Sequence, residues 1–225
     1  MMKKIIIFDA DGTLFDSMPL YARIFADMLH EKYDIQKKES KDYLLSTAGL
    51  AIEKQFQRML TRYKFKDESD ELKEEFYGIV LKRKPEIYDD VIPALKKLDG
   101  YTKFLSSGNR QDLLNLRVKQ FGLAPYFEEW LGFNGYKDKS QHLDYLMKKL
   151  KMTNDKFARN AYYVADGSHD MEVAKKYGIY SFGRIGTLSR EGLEHAGARH
   201  VIGNLGELVT FLDNRFLNMF WNGSL

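Results

Sequence analysis

Two aspartates one residue apart, Asp9 and Asp11, stand in the string Asp9-Ala10-Asp11-Gly12-Thr13, directly after an apolar run. A further acidic pair, Asp166 and Asp170, follows a second apolar stretch, and between the pairs lie the hydroxyls Ser106 and Ser107 and the lysines Lys137 and Lys139. Acid, hydroxyl, lysine and acid together suit phosphoryl transfer. A carboxylate can attack phosphorus and form an aspartyl-phosphate. A second carboxylate two residues on can protonate the leaving oxygen and then activate a water. Asp9, Asp11 and Asp166 in one place would repel each other, and a hard divalent cation with oxygen ligands relieves that repulsion. Magnesium is the usual choice where phosphate is also bound. Metal and lysine then neutralise the substrate phosphate. Hydroxyl and backbone N–H groups at Ser106, Ser107 and the Gly12 turn can hold its remaining oxygens.

These groups converge only if the elements around them bring them together. Residues 3–8 read as a fully buried strand of a parallel sheet. From Pro19 the period changes. Leu20, Ile24 and Met28, then Ile52, Phe56, Met59 and Tyr63, then Leu72, Phe76, Ile79 and Val80 form three amphipathic stripes, predicting three helices and no strand between Asp16 and Lys84. Lys84-Pro85 marks the return point, because a residue before proline disfavours helix. Strands are then expected at 101–105, 130–133, 161–165, 180–182 and 200–202. Helices are expected through Leu114 and Val118, through Leu143 and Leu146 with Ser140 as N-cap, through Val173 and Ala174, and over 205–212. This alternation predicts a doubly wound α/β parallel sheet. In such sheets ligands bind outside the carboxyl ends of the strands, where the acids, hydroxyls and lysines all fall.

Composition narrows the class. The chain has 225 residues and no cysteine, which removes disulfides, thiolate metal sites and a cysteine nucleophile. A net charge of +3 is too weak for a nucleic-acid footprint. No apolar run approaches the length of a membrane helix, so a cytoplasmic protein is expected, with no nucleic-acid or membrane partner. Lys54, Arg58 and Arg62 fall on one helix face and are expected to face solvent, as is His169 in a loop. Asp170 could also serve as a helix N-cap. The apolar tail over 216–221 is expected to pack on the domain, and a monomer and a homodimer both remain open.

The ordered set resembles the four motifs of the haloacid dehalogenase superfamily: Asp9-Ala10-Asp11-Gly12-Thr13 the first, Ser106 the second, Lys139 the third and Asp166-Gly167-Ser168-His169-Asp170 the fourth. The helical stretch looks like the cap of the phosphoglycolate phosphatase and β-phosphoglucomutase branch. This implies a core of residues 1–16 and 85–225 with a cap over 17–84, whose Ser46-Thr47-Ala48-Gly49-Leu50 string resembles the loop that reaches the active site. The resemblance further implies Asp9 as nucleophile and magnesium ligand, and Asp11 as general acid/base giving its backbone carbonyl to the metal. It implies Ser106 on the phosphoryl group, Lys139 on the phosphoaspartate charge, Asp166 as the third metal ligand and Asp170 orienting the site from behind. The third motif lacks the proline common in this branch, so Lys137 remains the alternative lysine, and Ala165 replaces a glycine or acid common before the fourth-motif aspartate. The expected activity is magnesium-dependent hydrolysis of a small phosphorylated metabolite. A phosphosugar mutase using the same intermediate is the first alternative, and a receiver-type phosphoacceptor module is a more distant one.

Overall fold

The computed structural model describes residues 3–133, 135–136 and 138–221, with backbone alone for 215–221. Lys137 therefore lies outside the described residues, as do the side chains of the tail.

The strand β1 (Ile5–Phe8) is buried along its whole length and sits at the centre of a six-stranded sheet. The other strands are β4 (Thr102–Arg110), β5 (Glu129–Phe133), β6 (Ala161–Ala165), β7 (Tyr180–Arg184) and β8 (His200–Ile202). The order is β5-β4-β1-β6-β7-β8 and every pairing is parallel. Ile5 pairs with Thr102 on one side and Ala161 on the other. Successive strand side chains point to opposite faces. Ile6 and Phe8 accordingly pack against α5 (Val91–Lys97), α6 (Gln111–Gln120) and α11 (Leu205–Trp221). Ile5 and Ile7 pack against α7 (Lys139–Lys149), α8 (Asn154–Asn160), α9 (Ser168–Lys176) and α10 (Arg190–Ala196). This is the expected doubly wound α/β fold.

Between β1 and β4 the chain leaves through β2 (Phe15–Asp16) and returns through β3 (Glu86–Ile87), which pair antiparallel beside the sheet. Between them lie four helices: α1 (Met18–Tyr33), α2 (Lys37–Ser46), α3 (Ile52–Arg62) and α4 (Ser69–Val80). They have a core of their own, in which Phe25 stacks on Phe56 and Phe76 meets Phe56 edge-on. The expected three helices are thus four. The extra one, α2, buries only Ser40 and Leu44, so it carries no apolar stripe to read. Helices α5, α8 and α10 were likewise not expected. Each has seven residues, too short for a periodic pattern to declare itself. The last helix runs past the expected 212 to Trp221. Among the described residues no helix is long and apolar enough to cross a membrane.

Candidate active site

Asp9 continues the β1 ladder by donating its N–H to Val164 O at 2.8 Å. Beyond it the chain turns sharply: Leu14 and Phe15 donate back to Ala10 O, and Gly12 donates to Phe15 O. Gly12 has φ +79°, and a Cβ there would lie 1.9 Å from Asp166 Oδ2. The residue is thus required by both conformation and space. Its amide is committed to the turn.

The turn sets Asp9 against groups from three later elements. Lys139, in the first turn of α7, places its Nζ 2.5 Å from Asp9 Oδ1 and 2.6 Å from Asp170 Oδ1. Tyr163 of β6 donates its hydroxyl to the same Asp170 oxygen at 2.9 Å. Asp166 accepts from Thr13 at 3.0 Å on Oδ1 and from Thr187 on Oδ2. Asp9, Lys139, Asp166 and Asp170 are all buried. Among the described residues the other oxygen of Asp9 has only a 3.5 Å contact from the Thr13 hydroxyl.

Asp11 points another way. Ser17 and Asn109 donate to its two oxygens at 2.6 and 2.5 Å, and Ser107 lies 3.5 Å away. Asn109 in turn accepts from Tyr77 of α4 at 3.1 Å, so the helical insertion reaches the Asp11 carboxylate through one amide. Asp9, Asp11, Ser107, Asn109 and Lys139 line one cavity of about 50 Å³, room for a few waters. Its opposite wall comes from the helical insertion. There Gly49 (φ +94°) presses so close that a Cβ would lie 2.4 Å from Asp170 Oδ2.

The family model for haloacid dehalogenase-like hydrolases matches residues 6–183, a span that contains every residue of this cluster except Thr187. The chain belongs to this family. The phosphoglycolate phosphatase of Vibrio parahaemolyticus is 26% identical over 220 residues, spanning 92% of this chain and 94% of that one. That of Vibrio vulnificus is 28% identical over 193 residues, spanning 80% and 82%. A solved haloacid dehalogenase-like family protein from Streptococcus pneumoniae superposes with a TM-score of 0.76 at 16% identity, covering 93% of this chain and 98% of that one. Family and fold agree with the branch and the hydrolase class expected from the ordered motifs.

Charge in the hydrolase's site is unbalanced. Three buried carboxylates, Asp9, Asp166 and Asp170, face one ammonium among the described residues, that of Lys139. Burial raises the Asp9 carboxyl well above its ordinary range, against the pull of Lys139 and with Asp170 and Asp166 adding to the rise. Burial likewise pushes Asp166 up to about 6, although Thr187 and Thr13 donate to it. Hard oxygen donors with excess negative charge fit a magnesium ion. Among the described residues no three acidic or histidine side chains converge on one point, because the Asp11 carboxylate is drawn to Ser17 and Asn109. The expected contribution of Asp11 through its backbone carbonyl is compatible with that; a third carboxylate is not.

Several expected details change. The N-cap of α7 is Asp138, not Ser140: its carboxylate accepts from Ser140 N at 2.8 Å, and Ser140 lies inside the helix. Burial pushes Asp138 up, but the bonds from Ser140 and the nearby Lys54 ammonium hold it below its ordinary value. Asp170 is no N-cap either. Gly167 holds that position, and Lys139 and Tyr163 take the Asp170 carboxylate. His169 lies in the first turn of α9, partly buried and 3.8 Å from Glu172, rather than in a solvated loop. Arg58 and Arg62 are exposed as expected, whereas Lys54 is half-buried.

Ser106 is fully buried, with its hydroxyl 2.9 Å from His142 Nδ1 and 3.5 Å from Tyr163. Its neighbour Ser107 is the one on the cavity wall. His142, Tyr163, Asn109 and Thr187 were not anticipated. A lone histidine, a strand tyrosine, an asparagine near the end of β4 and a loop threonine carry no spacing that marks them. Burial, with the Lys139 charge beside it, lowers the His142 pKa to about 4. Between about pH 6.5 and 4 the unfolded chain therefore binds a proton that the folded protein refuses, so stability falls as pH falls through that window. The shift corresponds to about 3 kcal/mol. His142→Phe is expected to flatten that part of the stability–pH curve in urea titrations, and an unchanged slope would count against the assignment.

Proposed function

We propose that this hydrolase releases phosphate from a small phosphomonoester through an aspartyl-phosphate on Asp9, with magnesium bound. The observation that carries the reading is the asymmetry of Asp9, a residue that lines the cavity: Lys139 engages one oxygen at 2.5 Å while the other has, among the described residues, only the 3.5 Å contact from Thr13. The second oxygen is the nucleophile. It attacks phosphorus as the ester oxygen departs, and Asp11, on the same wall, supplies the proton that oxygen takes. Asp11 then accepts a proton from a water, whose oxygen attacks the phosphoaspartate and returns Asp9 and inorganic phosphate. Lys139 offsets the charge at the Asp9 oxygen that does not attack. Ser107 supplies a hydroxyl for the phosphoryl oxygens, in the place expected of Ser106, whose own hydroxyl is turned to His142. Asp170 and Tyr163 fix the lysine. Asp9, Asp166 and the Asp11 carbonyl would hold the magnesium ion, which supplies positive charge to the phosphate oxygens and offsets the buried carboxylates. The name shared by the curated relatives, phosphoglycolate phosphatase, supports a small ester.

Phosphate release from a panel of phosphomonoesters is expected with magnesium and not with chelator. Magnesium at tenfold above its Kd should also stabilise the protein by about 1.4 kcal/mol, a Tm rise of about 3–6 °C, which Asp166→Asn removes. Release that survives chelation would refute the metal dependence. Isomerisation of a phosphosugar without release would refute the hydrolase.

A further inference from the structure

The wall that faces the nucleophile is built by the helical insertion and is largely apolar: Met18, Leu44, Leu50, Ile52 and Phe76. Two polar side chains interrupt it, Tyr21 and Gln55, each about nineteen-twentieths buried at 5% and 4% exposure. Gln55 Nε2 donates to Thr47 O at 3.1 Å and Leu50 O at 3.2 Å. Rotating the amide would set its oxygen against two carbonyl oxygens, so its orientation is fixed. Among the described residues Gln55 Oε1 is left as a buried acceptor without a partner, and the Tyr21 hydroxyl has none within hydrogen-bond geometry, although burial and the nearby Asp11 carboxylate raise its pKa well above the ordinary value. Buried polar atoms are rarely left so, since an unmade hydrogen bond there is costly.

The two atoms specify a complement. Oε1 of Gln55 needs a donor, and the Tyr21 hydroxyl can give or take a hydrogen bond. An alcohol group satisfies both. A carboxylate does not: it would bring an acceptor to an acceptor, close to the carboxylates of Asp9 and Asp11. Among the described residues lining the cavity, Lys139 is the one cation, and Asp9 and Asp170 already hold it. The five apolar side chains would cover C–H surface.

We propose that Tyr21 and Gln55 form the subsite for the leaving group, and that this group is an uncharged alcohol bearing at least one further hydroxyl. The substrate is then a polyol or sugar phosphate rather than a phosphorylated hydroxy acid. This rests on the phosphomonoesterase reading and narrows it, and it separates the chain from the substrate that its relatives' name implies.

The test compares kcat/KM for glycerol 3-phosphate, ribose 5-phosphate, 2-phosphoglycolate and p-nitrophenyl phosphate, with magnesium, in the wild type and in Gln55→Leu and Tyr21→Phe. The hydroxylated esters are expected to exceed 2-phosphoglycolate. Each substitution is expected to lower the best hydroxylated ester about tenfold and p-nitrophenyl phosphate, which has no hydroxyl to bind, less than about twofold. Tyr21→Phe removes one oxygen and none of the bonds that hold the 47–50 loop, so it decides the matter if Gln55→Leu disturbs that loop and lowers every ester together; a loss that comes through the Asp11 carboxylate beside the hydroxyl falls on all esters alike. Preference for 2-phosphoglycolate overturns the proposal, as does an equal loss on all esters in Tyr21→Phe. In either case p-nitrophenyl phosphate turnover leaves phosphomonoester hydrolysis standing. No release from any ester overturns that reading and the proposal with it.

Discussion

Asp9→Asn is expected to cut phosphate release at least about 10³-fold, because an amide cannot form the acyl-phosphate, and to leave the protein folded. The second half is the less obvious one. Asp9 is buried and bonded to Lys139, and losing one partner of a buried ion pair usually destabilises. Here Lys139 keeps Asp170 at 2.6 Å. The Asp9 carboxyl is already raised well above its ordinary range by burial and by its acidic neighbours, so its charged form is held at a cost. Removing that charge offsets the lost contact, and the melting temperature should stay level or rise. Phosphate release and thermal melting on the same preparation check both halves. Activity within tenfold of wild type would remove Asp9 from the nucleophile's role.

Lys139→Met should have the opposite effect on stability. The methionine keeps the length and volume of the side chain but removes the ammonium that pairs with Asp9 and Asp170. Breaking a buried pair from the cationic side costs about 3–5 kcal/mol, or a fall in Tm of about 6–20 °C for a chain of this size. The loss should shrink as pH is lowered. Without the lysine, Asp9, already raised by burial, gains a proton more readily in the folded state than in the unfolded one, so the penalty is present above its folded pKa and relieved below it. Melting curves at pH 7 and pH 5 measure this directly. Equal destabilisation at both values would mean that packing, not charge, is what the lysine supplies. Turnover should fall as well, since the charge at the non-attacking oxygen of Asp9 is then unopposed.

The contrast between these residues and their surroundings explains what the sequence made legible. Asp9, Asp11 and Asp166 follow the ends of β1 and β6, Ser106 lies within β4, and Lys139 and Asp170 lie in the first turns of the helices after β5 and β6; a parallel sheet gathers these places on one edge whatever the intervening chain does. Most strands were readable as short apolar runs with a turn after them; β4 was readable only in its first half, because it runs on through the polar residues 106–110. What was missed has a different logic. Helix α2 is held by two buried residues and the tertiary context around them. His142 packs against Ser106 through folding alone, three positions past Lys139 in a helix whose pattern says only that one face is buried. Thr187 reaches Asp166 from the loop after β7, where nothing in its own neighbourhood marks it. The start of α7 was misread by two residues because Asp138 and Ser140 are both good caps. The choice fell to Asp138, whose carboxylate can take the Ser140 amide while Lys139 turns inward.

The central strand of the sheet is also the first to be made. On the ribosome, Ile5–Phe8 emerges as four apolar residues with no partner on either edge, since one neighbour begins at Thr102 and the other at Ala161. Asp9 meets its lysine across 130 positions of chain, and Thr13 meets Asp166 across 153. The four-helix segment has its own core and needs few such distant contacts, so it can condense while the strand waits. Closing long loops is slow, because the entropy of closure comes due before the contacts that reward it. Order of synthesis and order of assembly can therefore diverge: the portion that covers the site has most of its core within residues 18–80, whereas the cluster of acids is complete only when Asp166 and Asp170, beyond the last of the neighbouring strands, have arrived.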